Sequence, residues 1–266
     1  MSSPAFEAQV AAAKAYESLF VPALFGQWAS RVAEAAAIAE GQSVLDVACG
    51  TGVLAREAQL RTGPTGYIAG LDPSPGMLAV ARELSPSADW RQGAAESMPF
   101  ADDSFDAVVS QFGLMFMDRH KAPREMLRVL KPNGRLVVAV WDSAENIPAY
   151  AAEIALLERV AGRRAADALR APFALGDRDL LAGIFTNAGA RSVEIDTRTG
   201  IGRFPSVRVM VEADLRGWLP VMGVDLTEEE ISRILVEAED LLDSFVADDG
   251  RVAFDAPAHL VIARRP

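Results

Sequence analysis

Val44-Leu45-Asp46-Val47-Ala48-Cys49-Gly50-Thr51-Gly52 is the stretch that decides how this chain reads. A short apolar run of strand length enters a turn with two glycines, and a helical pattern over 52–61 follows at once. Glycines in such a turn let the backbone approach a ligand closely, and the start of the helix offers it free N–H groups. Gly50-Thr51-Gly52-Val53-Leu54-Ala55 also satisfies the dinucleotide fingerprint G-x-G-x-x-G/A. Asp72, 20 residues after Gly52, stands where a ribose-binding acid belongs. On this loop alone an NAD(P)-dependent oxidoreductase is a full rival reading.

Asp46 separates the readings. It lies four residues before the first glycine, where a carboxylate would repel a pyrophosphate and would favour a ligand that carries positive charge. The plainer alternative, that Asp46 only accepts hydrogen bonds from loop N–H groups, is compatible with either ligand.

Outward from this loop, apolar strands at 43–48, 67–71, a short one at Trp90, 105–111 and 135–141 alternate with helices at 52–61, 75–84 and 123–130. Thr62-Gly63-Pro64 and Lys131-Pro132-Asn133-Gly134 read as turns. Near-continuous apolar strands alternating with helices predict a parallel sheet covered on both faces. The expected fold class is α/β: a Rossmann-like, seven-stranded, mostly parallel sheet with helices on both faces and a helical lid. Past Trp141, residues 145–170 read as helical, 177–188 as a helix, and 192–197 and 260–264 as strands, with His259 at the start of the last.

Residues 1–40 are expected to form an N-terminal helical lid of two helices broken near Pro22. Residues 41–200 and 257–266 are expected to form the core. Residues 201–256 are a helical insertion and the expected acceptor lid, with helices at 206–219 and 227–246. The second opens with Thr227-Glu228-Glu229-Glu230, a capping box. Trp218 and Met222 on this insertion are expected to shape the acceptor pocket.

Composition narrows the function classes. Half of the 266 residues are hydrophobic and 24% are charged, as in ordinary globular proteins. No run approaches the roughly 18 apolar residues of a membrane helix, and the N-terminus lacks the basic start of a signal peptide. Membrane insertion is therefore not expected, and a cytoplasmic location is the default. A net charge of −11 without a basic cluster argues against a nucleic-acid partner. The single cysteine, Cys49, leaves no internal disulfide. Two histidines, His120 and His259, make no metal cluster, so no metal is expected.

Three further motifs carry a resemblance. With the V-L-D-V-A-C-G-T-G stretch, Gly70-Leu71-Asp72-Pro73-Ser74-Pro75-Gly76-Met77-Leu78 makes a second motif. Gly93-Ala94-Ala95-Glu96-Ser97-Met98-Pro99-Phe100, followed by Asp103-Ser104-Phe105-Asp106, makes a third. Leu130-Lys131-Pro132-Asn133-Gly134-Arg135-Leu136 makes a fourth. In this order, over roughly residues 40–141, they resemble the class I S-adenosylmethionine-dependent methyltransferases, in particular the branch similar to the quinone-biosynthesis C-methyltransferases.

The resemblance implies S-adenosylmethionine as cofactor and S-adenosylhomocysteine as product. It implies that Ala48, Gly50 and Gly52 line the methionine part through their backbone, beside the acid of Asp46. Asp72, followed by Pro73, would accept from both ribose hydroxyls. Met77 would pack on adenine, although it reads equally as a core methionine, and the Ala95 N–H would meet the adenine edge. The family often has an acid after the glycine of the third motif. Here that residue is Ala94, so Glu96 or a backbone carbonyl substitutes, or the contact is missing. In similar enzymes an N-terminal tyrosine approaches the methionine end, which points to Tyr16.

Gln111 and Phe112, at the C-terminal end of the fourth strand, should border the methionine moiety. Methyl transfer from a sulfonium is a direct displacement and needs a base only for a protonated acceptor. His120 is the candidate for that base; as a plainer reading it is a surface residue at a helix start. The apolar run Phe112, Leu114, Met115, Phe116 and Met117 favours a small, fairly apolar acceptor such as a phenol, a quinone-like ring or a polyketide. Oxidoreduction on the same loop, or cofactor binding without catalysis, are the alternatives, and a monomer or homodimer is expected.

Overall fold

The computed structural model describes residues 3–265. Helix α1 (Pro4–Phe20) passes through a π turn (Val21–Phe25) into α2 (Gly26–Ala35). Strand β1 (Ser43–Val47), α3 (Val53–Thr62), β2 (Tyr67–Asp72), α4 (Pro75–Leu84), β3 (Asp89–Gln92), β4 (Phe105–Gln111), α5 (Ala122–Val129) and β5 (Leu130–Trp141) follow. Then come α6 (Pro148–Ala161), α7 (Arg163–Arg170), α8 (Arg178–Asn187) and β6 (Ser192–Phe204). The chain ends through α9 (Val207–Ala213), a second π turn (Asp214–Trp218), the single turn α10 (Leu219–Val221), α11 (Glu228–Leu241) and β7 (Val252–Arg264).

The seven strands form one sheet in the order β3-β2-β1-β4-β5-β7-β6. The pairs β3–β2, β2–β1, β1–β4 and β4–β5 are parallel. β6 and β7 run antiparallel: Arg191 N–H donates to the Arg264 carbonyl, and further along Thr197 Oγ1 meets His259 Nδ1 at 2.8 Å. The sheet is thus the Rossmann-like, mostly parallel one that the alternation predicts. Val44, Leu45 and Val47 of β1 and Val108 and Val109 of β4 are wholly buried, because helices cover both faces. Strand order reverses at β1, so the crevice between the C-terminal ends of β1 and β4 is where ligands bind in open α/β sheets.

Three local expectations are corrected. The helix break at Pro22 is a widened turn instead: Val21 N–H reaches the Tyr16 carbonyl and Gly26 N–H the Val21 carbonyl, each five residues back. Proline offers no N–H for the ordinary four-residue bond, and the π turn absorbs the loss. Lys131–Gly134 is not a turn ahead of the fifth strand. β5 starts at Leu130, which pairs Phe105, and the register slips before Ala107 pairs Arg135, with Asn133 at φ +63°. β6 and β7 are each 13 residues, so His259 lies inside its strand rather than at the start.

Two compact units divide the chain. The first is Met1–Val140, Asp177–Arg198 and His259–Pro266; the second is Trp141–Gly176 and Thr199–Ala258. In the first unit α1 lies so close to α4 that a Cβ built on Gly76 would stand 2.7 Å from backbone atoms of Gln9. α2 packs on α3.

The second unit has its own core. Tyr150 on α6 lies 5.2 Å from the Phe173 ring and 5.6 Å, edge-on, from Phe254 on β7. Trp218 Nε1 donates to the Ala168 carbonyl at 2.9 Å, and Met222 N–H donates to the Trp218 carbonyl. The capping box at Thr227 and Glu230 opens α11 as its sequence predicts. Glu153 on α6 and Asp214 at the second π turn are buried in this unit. Neither Glu153 oxygen, nor Asp214 Oδ2, has a hydrogen-bond partner. Among the described residues no helix is long and apolar enough to cross a membrane.

Candidate cofactor site

The loop after β1 folds as it does because three of its residues take left-handed backbone: Ala48 (φ +55°), Gly50 (φ +54°) and Gly52 (φ +85°). A Cβ on Gly50 would meet nothing within 4 Å, so its backbone borders open space. Gly52 is tight for a second reason, since a Cβ there would stand 2.5 Å from Trp90 Cη2. Gly52→Ala should therefore cost about 2 kcal/mol of stability through overpacking and backbone strain. Urea unfolding of the variant checks this, and an unchanged midpoint would refute it.

Gly52 is also the N-cap of α3 and brings no side chain to the helix end. Asp46 fills that role from the strand: its Oδ2 accepts the Ala55 N–H at 3.0 Å. Asp46 is thus a backbone acceptor through one oxygen, as the plainer reading expects, but its donor lies in the first turn of α3 and not in the loop. Oδ1 is buried without a partner. Burial, and secondarily the nearby carboxylate of Asp72, hold the Asp46 carboxyl well above the usual range, against the Ala55 N–H and Arg56, which lower it.

Asp72 ends β2 and reaches back to the loop. Its Oδ2 accepts the Gly50 N–H at 2.9 Å and its Oδ1 the Ser74 N–H at 2.8 Å. Burial raises its pKa against these two bonds. A carboxylate has about four lone-pair sites, so two remain for a ligand. Burial raises the Cys49 thiol far above its ordinary value, which fits a small packed residue and not a nucleophile.

The N-terminal helices bring an aromatic wall to these acids. Tyr16 stacks on Phe25 at 5.4 Å, Phe25 lies 5.5 Å from Phe112, and Phe112 meets Trp28 edge-on at 5.8 Å. The Tyr16 phenol is raised above its ordinary value, first by burial and then by the carboxylates of Glu17, Asp72 and Asp46, so it shares their neighbourhood. Phe112 holds φ +55°, an uncommon conformation for a bulky residue and one that collects at functional sites. Gln111 Nε2 donates to the Phe25 carbonyl at 3.1 Å, while its Oε1 is buried and unpartnered.

The remaining expected residues are more dispersed. Met77 is half-buried in the first turn of α4, its N–H on Ser74 Oγ at 3.3 Å. Pro73 is exposed, and its carbonyl accepts from Gln92 Nε2. Ala94 is exposed, Ala95 is buried, and Glu96 Oε1 accepts the Asp118 N–H at 2.8 Å. His120 is exposed on the turn before α5, its backbone N–H on Asp118 Oδ1. Among the described residues no group of three or more His, Cys, Asp or Glu side chains could hold a metal.

Sequence reasoning missed one cluster. Thr51 Oγ1 donates to Glu17 on α1, Arg56 donates to Glu17 Oε1 at 2.6 Å, and Arg56 also donates to the Thr51 carbonyl at 2.7 Å. Glu17 stands next to Tyr16 in sequence, which is the one signal that would have found it.

Residues 45–138 match the family described as methyltransferase domain. The demethylmenaquinone methyltransferase of Renibacterium salmoninarum is 46% identical to this chain over 114 residues, 42% of this chain and 47% of that protein. The chain spans about half the length of the curated relatives it matches. Among solved structures, phosphoethanolamine N-methyltransferase 2 of Haemonchus contortus, in complex with S-adenosyl-L-methionine, aligns with a TM-score of 0.60 at 18% identity. That alignment covers 96% of this chain and 56% of that one. The cyclase SpnF aligns with a TM-score of 0.52 at 23% identity, over 91% and 82% of the two chains. These likenesses establish the Rossmann-like methyltransferase fold, and the cyclase illustrates that the fold alone does not fix the chemistry.

Proposed function

We propose that this chain is an S-adenosylmethionine-dependent methyltransferase acting on a small, fairly apolar acceptor, with a quinone-like ring or phenol as the leading class. The observation that carries this reading is the pair of unsatisfied buried oxygens, Asp46 Oδ1 and Gln111 Oε1, on neighbouring parallel strands. Buried acceptors without donors cost about 1–3 kcal/mol each, and the ammonium of a bound methionine moiety would supply the donors. A pyrophosphate would not, since it brings acceptors only.

When bound, S-adenosylmethionine supplies a methyl on a sulfonium leaving group, ready for direct displacement. The chain's own residues bind and orient. Asp72 would take the two ribose hydroxyls on its free lone pairs, and the open side of Gly50 would let backbone approach. Tyr16, Phe25 and Phe112 would exclude water from the methyl and present an apolar wall to the acceptor. No proton is routed through His120. The quinone-like acceptor is supported by the similarity over the methyltransferase domain to the demethylmenaquinone methyltransferase.

Calorimetry with S-adenosylmethionine and S-adenosylhomocysteine tests the cofactor. Binding at sub-millimolar concentration is expected for both, with NADH giving no thermal shift. Failure of both ligands to bind, or a shift with NADH alone, would sink the reading.

A further inference from the structure

The Glu17 cluster joins three parts of the first unit. Thr51 sits between the two loop glycines and is almost wholly buried. Its hydroxyl is held by Glu17 and its carbonyl by Arg56, while Arg56 and Glu17 hold each other. The ring of contacts closes on itself. The Glu17 and Arg56 side chains are about a quarter exposed, so the pair is reachable by solvent and by salt.

Glu17 is placed between two unlike supports of α1. On its N-terminal side the helix is seated on α4 by the close approach at Gly76 and by the exposed ion pair Lys14–Glu83, 3.0 Å. On its C-terminal side lies the π turn at Val21–Phe25, where two backbone bonds span five residues in place of four. The stretch between carries Tyr16, which lies with the carboxylates of Asp46 and Asp72. Freed at Glu17, that stretch has a fixed seat before it and a loosened turn after it, the arrangement of a hinged segment.

We propose that Glu17 is a positioning residue that clasps α1 to the glycine loop through Thr51 and Arg56, and that opening of this clasp gates entry and release of the cofactor. The proposal rests on the methyltransferase reading above. The clasp also ties loop conformation to helix position. A ligand that orders the loop draws Tyr16 in over the site, and a closed clasp slows exchange in both directions. The Glu17–Arg56 pair makes the gate sensitive to ionic strength, because salt weakens a solvent-reachable pair.

The test is stopped-flow release of S-adenosylhomocysteine from the full chain and from Glu17→Ala, Glu17→Gln and Thr51→Val. Glu17→Ala should release the ligand about tenfold faster, the factor carried by ~1.4 kcal/mol. Entry should quicken too, so affinity falls less than the release rate rises. Glu17→Gln, which keeps an acceptor for Thr51, should lie between the native chain and Glu17→Ala. Release from the native chain should speed up with added salt, and release from Glu17→Ala should not.

Release at the native rate in both Glu17 variants, with only a lower melting temperature, makes Glu17 a structural residue and overturns the gate. Equal salt dependence in the native chain and Glu17→Ala overturns it as well. If Glu17→Ala does not fold, Glu17→Gln and the salt series carry the test. A native chain that binds no S-adenosylhomocysteine overturns the methyltransferase reading itself, a result distinct from unchanged release.

Discussion

Asp72→Ala should bind S-adenosylhomocysteine about 100-fold more weakly than the native chain, since two lost hydrogen bonds to a charged acceptor amount to ~3 kcal/mol. On the proposed reading the two ribose hydroxyls would lose their acceptor, and a neutral methyl would replace it. The loop suffers too, because Asp72 holds the Gly50 N–H at 2.9 Å and the Ser74 N–H at 2.8 Å. Asp72→Asn separates these losses. An amide oxygen still accepts from one N–H, so the loop is partly kept, while its NH₂ group offers donors where the hydroxyls need acceptors. Calorimetry reads both variants, and native affinity in Asp72→Ala would end the ribose assignment.

The acids of this site add a pH signature. Asp46 and Asp72 are both raised by burial, and a cation brought beside them lowers them again. Binding of S-adenosylmethionine should therefore release protons, and its affinity should climb with pH over the range in which the ligand-free acids titrate. Calorimetry in buffers of different ionisation enthalpy counts those protons.

The second large effect lies in the second unit. Replacing its acid pair, Glu153→Gln with Asp214→Asn, should flatten the pH dependence of stability, leaving the part carried by the raised acids Asp46 and Asp72 of the first unit. Burial pushes Asp214 up to about 8, and burial followed by the Asp214 charge pushes Glu153 well above its usual range. The sign follows from proton linkage. The folded state holds these protons more tightly than the unfolded chain, so the stability they give is complete below pH 4. It is lost as pH rises towards the folded value near 8. At ~1.4 kcal/mol per pH unit, the loss is on the order of 5 kcal/mol at its end.

A native melting temperature should then fall by about 10 °C between acid and alkaline conditions relative to the double variant. Tyr150, on the same helix as Glu153, also feels both carboxylates. Parallel melting curves from pH 5 to 9 would show that the pair carries no such load.

How far the sequence carries can be seen residue by residue. The loop Val44–Gly52 and the alternation around it predicted the sheet, because parallel strands buried on both faces must be apolar throughout. The place of Asp72 at the end of β2 was legible from spacing alone. Asp46 was legible as a strand acid beside the glycine loop, but not as the cap of α3, since that bond joins residues nine apart across a strand end. The extents of β6 and β7 were hidden. Arg198, Thr199 and Arg203 mix with Ile201, Phe204 and two glycines without a regular alternation, so the stretch reads as loop until a partner strand pairs with it. The Glu17–Thr51–Arg56 cluster was illegible because long-range polar contacts leave no period in a sequence. The unpaired Glu153 was equally hidden, because a carboxylate on a helix reads as solvated by default.

The sheet order has a bearing on how this protein is made. β7 lies between β5 and β6, yet it follows both in the chain. During synthesis β5 and β6 emerge with facing edges and no strand to join them, and both edges must wait until residues beyond 252 appear. A nascent chain at that stage offers unpaired backbone on two strands, the condition under which chains stick to one another. Ribosome-bound chains halted before β7 should accordingly recruit chaperones more strongly than chains that include it.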